Sequence, residues 1–128
     1  PSHFYCAMAM IFESANLDFA QFYEKSFRDV EDFKTAEIMK IVFEDEISHV
    51  ALGAHWLNLW RGDKSLWVYF NENLPGVMTP ARSKGIHFDR SSRVRAGLDD
   101  DFLEHLEAFR DDFKVTNRKS WNNGNENL

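Results

Sequence analysis

Asp45-Glu46-Ile47-Ser48-His49-Val50-Ala51-Leu52-Gly53-Ala54-His55-Trp56 is the stretch on which the fold turns. Around it, Met39, Val42, Glu46, His49, Gly53, Trp56 and Trp60 recur at alternating spacings of three and four, the seam of a packed helix. Ile38, Phe43, Ile47, Val50, Ala54 and Leu57 widen the apolar face, so the pattern predicts one long helix over residues 32–60. Gly53 on the seam lets another helix come close. Gly62 suits the position just past the helix end. Upstream, Cys6, Met10, Glu13, Leu17, Ala20, Glu24 and Phe27 carry the same spacing and predict a first helix over residues 3–27, free of Pro and Gly. The polar cluster at 28–32 separates the two helices, with Asp29 or Asp32 as the cap of the second.

Beyond Gly62 the elements are shorter. Asp63 is placed to cap a helix over residues 64–73, stopped by Pro75-Gly76. Residues 79–97 read as an extended basic connection, and Asp99 or Asp100 starts a last helix over 100–113. The Asn-rich end, 116–128, reads as a loose polar tail, leaving residues 1–115 as a single domain. Its 128 residues allow one core, not two. With only 6 Gly and 3 Pro the chain lacks the turn signals of a β fold, so the expected class is all-α.

A net charge of -6 without a like-charged tail argues against a general nucleic-acid or anionic-membrane binder. The apolar runs are too short for a membrane span, and no leader pattern is present. One cysteine, Cys6, cannot form an intramolecular disulfide, which fits a reducing, cytoplasmic setting. It reads as a small core residue rather than a nucleophile.

Glu13, Glu46 and His49 carry the chemistry, because each interrupts an otherwise apolar seam. A buried, unpaired carboxylate costs several kcal/mol, on the order of the penalty per desolvated ion, and a divalent cation offsets that penalty. Glu46 and His49 stand at i and i+3, on one helical face, so one metal meets both. An antiparallel neighbour brings Glu13 to the same height. Iron or manganese suits this ligand set better than zinc or calcium. In dinuclear carboxylate bundles two helices supply Glu alone and two supply Glu-x-x-His, and this chain has one of each. The bland alternative is a solvated acidic patch of Glu44, Asp45 and Glu46. His3, His55, His87 and His105 read as structural or solvated. Arg82, Lys84, Arg90, Arg93 and Arg95 read as a strap across an acidic bundle. The sharper alternative makes Arg93 and Arg95 substrate-binding residues for an anionic substrate or an RNA phosphate.

Three stretches resemble an uncharacterised bacterial family of ferritin-like proteins, a domain of unknown function. Met10 to Asp18 resembles its hEARGLD helix, and Asp45 to Trp56 its DEixHVaxGxxW helix. Lys84-Gly85-Ile86-His87-Phe88 and Arg93-Val94-Arg95-Ala96-Gly97-Leu98 are similar to its strap. Ser14 and Asn16 depart from the family pattern. The resemblance implies a ferritin-like four-helix bundle with a dinuclear iron centre. Glu13 would be the lone-Glu ligand, and Glu46 and His49 the Glu-x-x-His pair. The family's other lone Glu and other Glu-x-x-His lie in an N-terminal half that has no counterpart here. Either two copies pair about a two-fold axis, giving a homodimer with two irons per completed bundle, or the chain is a fragment with an empty or half-formed site. The large apolar patch of the helix pair predicts dimerisation in both cases. The expected activity is O2-dependent oxidoreductase chemistry on an unknown substrate. The rivals are a self-associating or iron-handling module without catalysis, and an RNA-modifying hydroxylase-like role.

Overall fold

The computed structural model describes residues 1–110, and those residues form helices and connections without a strand. The first helical rod is α1 (Ser2–Ala7), a π-helical turn (Met8–Glu13) and α2 (Ser14–Asp29), running without a break. The expected plain α-helix is thus corrected by one wide turn. At its end the Ser14 N–H reaches the carbonyls of Ala9 and Ile11 rather than that of Met10. The Met10 carbonyl accepts instead from the Ser83 hydroxyl at 2.6 Å.

The reversal after α2 is tight. Glu31 takes the left-handed conformation, with φ 63°. Asp32 then caps α3 (Phe33–Trp60) by accepting from the Thr35 N–H at 3.1 Å. The 28 residues of α3 span about 42 Å at 1.5 Å per residue. The short reversal lays α2 and α3 side by side as a helical hairpin, the main packing interface among the described residues.

The described residues after α3 form a second layer on one side of that hairpin. Ser65, not Asp63, caps α4 (Leu66–Glu72), accepting from the Val68 N–H; Asp63 lies too far ahead of the first helical residue. Residues 79–97 are not extended as expected. They contain a 3-10 turn (Pro80–Ser83) and α5 (Arg90–Arg95), the latter capped by Asp89, which accepts from the Ser92 N–H. Asp99 caps α6 (Asp100–Ala108), which stops before the predicted 113 because Phe109 is extended. Residues 111–113 and the predicted tail at 116–128 lie outside the described residues.

The core lies between these layers. Cys6, Met10, Ile11 and Leu17 from the first rod and Ile47, Val50, Ala54 and Leu57 from α3 meet Leu66, Phe70, Phe102, Leu103 and Leu106. The hairpin's other side stays open. Phe4, Met8, Phe12, Ile38, Ile41, Leu52 and Leu59 are all exposed. Among the described residues no helix is long and apolar enough to cross a membrane.

Candidate metal centre

The hairpin brings Glu13, Glu46 and His49 together. Glu13 ends the wide turn of the first rod, and Glu46 and His49 project from one face of α3. One ligand atom from each residue lies within 4.8 Å of the other two. His49 Nδ1 stands 3.4 Å from Glu46 Oε2 and 3.7 Å from Glu13 Oε1. Donors bound to one ion at about 2.1 Å stand roughly 3–4 Å apart, so the cluster has the spread of a ligand set.

Burial is graded across the cluster. The side chain of Glu46 is 13% exposed, that of Glu13 28% and that of His49 53%. The inner oxygen of Glu46, Oε2, is buried and accepts no hydrogen bond. Its Oε1 accepts only a long bond from the Asn16 amide, 3.4 Å. A carboxylate oxygen removed from water without a donor is costly, and a cation between it and the imidazole removes that cost. Burial also pushes the Glu13 carboxyl above the usual glutamate range; Glu46 pushes it further, and His49 partly opposes them. The donor set, two carboxylates and one imidazole, is one that could hold a divalent metal ion.

The centre opens on the uncovered side of the hairpin. Phe4, Tyr5, Met8, Ala9 and Leu52 join Glu13 and His49 around a cavity of about 190 Å³. Apolar walls thus flank Glu13 and His49, the two side chains of the cluster that solvent reaches more.

The strap arginines lie elsewhere. Arg93, read from sequence as a candidate for an anionic substrate, is 0% exposed. It binds both oxygens of Asp18, at 2.7 and 2.9 Å, and the carbonyls of Ser14, Ser83 and Asp89. Its guanidinium also lies over the Phe88 ring, 4.3 Å from the centroid. Arg93 thus has no solvent-exposed surface, and both its Nη atoms are engaged within the protein. Arg95 is exposed and engages Glu44 on α3 at 2.7 and 3.2 Å. Both arginines therefore tie the strap to the hairpin. Sequence reasoning missed Asp18 and Ser83, whose partners lie 67 to 75 residues away. Asp18 enters the sequence reading only as the last residue of the Met10 to Asp18 motif, with no role attached to its charge.

The family model described as Protein of unknown function (DUF455) matches residues 1–104. The chain belongs to that family. Comparisons with curated proteins and with solved structures returned no match. Within this DUF455 chain, the matched region holds all three cluster residues, the strap and most of α6.

Proposed function

We propose that Glu13, Glu46 and His49 form one half of a ferritin-like carboxylate centre for iron, with manganese as the alternative ion. A second copy of the chain, pairing across the open side of the hairpin, would add its own three ligands and complete a four-helix bundle around two ions. The activity that suits such a centre is O2-dependent oxidation of a substrate whose identity is open. The observation that carries the reading is the buried, undonated Glu46 Oε2 facing the His49 ring, with Glu13 alongside. The lone, buried Cys6 supports a cytoplasmic, reducing setting.

Iron in this position would supply the capacity to reduce O2, which no amino-acid side chain here has. The chain's own residues do the rest. Glu46 Oε2 offers an acceptor with no competing donor. Glu13, whose carboxyl burial and Glu46 hold above the usual glutamate range, would regain the charge lost to that environment beside a cation. Phe4, Met8 and Leu52 restrict water at the mouth of the cavity.

Titration of the metal-free protein with Fe(II) under anaerobic conditions, and with Mn(II), tests the proposal. The expected result is two ions per pair of chains, lost in Glu46→Ala and His49→Ala. Oxygen consumption by the iron form then separates catalysis from iron handling. Iron bound without O2 turnover favours the handling reading, and no ion bound above buffer controls sinks both.

A further inference from the structure

The wide turn that ends at Glu13 is held from outside the helix. In a continuous α-helix the Ser14 N–H would bond to the Met10 carbonyl, four residues back. Here it passes that carbonyl and reaches Ala9, five back, and Ile11. The Met10 carbonyl is occupied by the Ser83 hydroxyl at 2.6 Å. Ser83 is 0% exposed and sits 73 residues further along, in the 3-10 turn of the strap. The contact is reciprocal, since the Ser14 hydroxyl donates to the Ser83 carbonyl at 3.3 Å. Arg93 clamps the pair by donating one Nη2 to the carbonyls of Ser14 and Ser83, at 3.0 and 2.9 Å. Every polar group in this cluster is buried, so no water replaces a lost partner without a cost.

From this we infer that Ser83 is a positioning residue: its hydroxyl holds the Met8–Glu13 turn open and so sets Glu13 in place against Glu46 and His49. Glu13 is the last residue of that turn, and Ser14 begins the helix anchored by Leu17 and Asp18. Without the hydroxyl, the Met10 carbonyl is free to take back the Ser14 N–H. The turn then tightens, and the backbone that carries Glu13 shifts relative to α3. π-helical turns recur at functional sites, and supporting groups behind metal ligands tune affinity without touching the ion. The inference rests on the proposed metal centre for its consequence, but its structural half does not.

Two readouts on Ser83→Ala, Ser83→Thr and Ser83→Cys test it. In the metal-free protein, NMR contacts between the Glu13 side chain and the His49 ring, with amide exchange across residues 8–14, report the turn directly. Ser83→Ala is expected to lose the contact and to move Ser14 N–H protection, and Ser83→Thr to restore both. Ser83→Cys, with its weaker donor, is expected to fall between. Mn(II) affinity should drop about 10- to 100-fold in Ser83→Ala and recover in Ser83→Thr. An unchanged contact and unchanged amide protection in Ser83→Ala overturn the inference whatever the metal result. A wild-type protein that binds no Mn(II) defeats the metal proposal, while the NMR arm still decides the role of Ser83.

Discussion

At Glu13 the cost of burial opposes the metal-binding use proposed for the residue. Its raised pKa means that the folded, metal-free protein favours the protonated form more than the unfolded chain does. Stability from this group is therefore present at low pH and is lost as pH rises from the ordinary glutamate range through the raised value. Glu13→Gln keeps the shape and removes the charge. Thermal melts of the metal-free protein should show Glu13→Gln more stable than wild type at neutral pH, the gap closing on acidification. The same variant should lose Mn(II) binding. A neutral-pH melt lower than wild type would contradict the burial argument. Cys6 offers a second test at this scale. Burial raises its thiol to about 12, so almost no thiolate exists at neutral pH. A thiol reagent at pH 8 should label Cys6 only as fast as the protein unfolds. Prompt labelling would mean that the first rod opens locally.

Among the elements, α3 was the most legible, because its three-four pattern, its Asp32 cap and its Gly62 stop agree with one another. Glu46 and His49 followed directly, since i and i+3 share a face whatever the tertiary structure. Glu13 was legible through its place on a matching seam. The wide turn was not. Cys6, Met10, Glu13 and Leu17 have spacings that an ordinary α-helix satisfies equally well, and the deviation depends on a hydroxyl 73 residues away. The strap was misread as extended because its helical turns are short and begin at Pro80 and after Asp89, without a long apolar period. Gly53 was read correctly as a point of close approach. A Cβ there would lie 2.2 Å from the Ala9 Cβ, inside the wide turn. Gly53→Ala must therefore push the rods apart, at a cost of about 1–3 kcal/mol by chemical denaturation. Ala9→Gly should relieve part of that cost in the double variant, and strict additivity would show that the two positions do not meet.

For the molecule as a whole, the asymmetry of the hairpin governs behaviour. One side is sealed by the strap, α4 and α6, and the other presents Ile41 and Leu59, each 61% exposed, along with the mouth of the centre. If that side pairs with a second copy, Ile41→Asp and Leu59→Asp should give a smaller species by sedimentation. They should also halve or abolish the metal stoichiometry while changing single-chain stability by only about 0.5 kcal/mol. Wild-type protein that sediments as a single chain with a full ion complement would rule out the pairing. On the sealed side, Arg93→Met strands Asp18 without its counter-charge, and a loss of about 3–5 kcal/mol is expected. A loss below about 1 kcal/mol would mean that Asp18 finds another partner.

The Asp18–Arg93 pair predicts an order of assembly, because its two halves are made 75 residues apart. The hairpin draws on contacts close in sequence and forms early, whereas Arg93 must cross most of the chain to arrive. A nascent chain on the ribosome that has not reached residue 93 carries Asp18 on a helix with nothing to neutralise it. The two long helices are expected to pair first and to dock fully only when the strap closes. Stopped-flow refolding should accordingly show helix appearing before core fluorescence is quenched. Arg93→Met should slow or erase the second step and leave the first untouched.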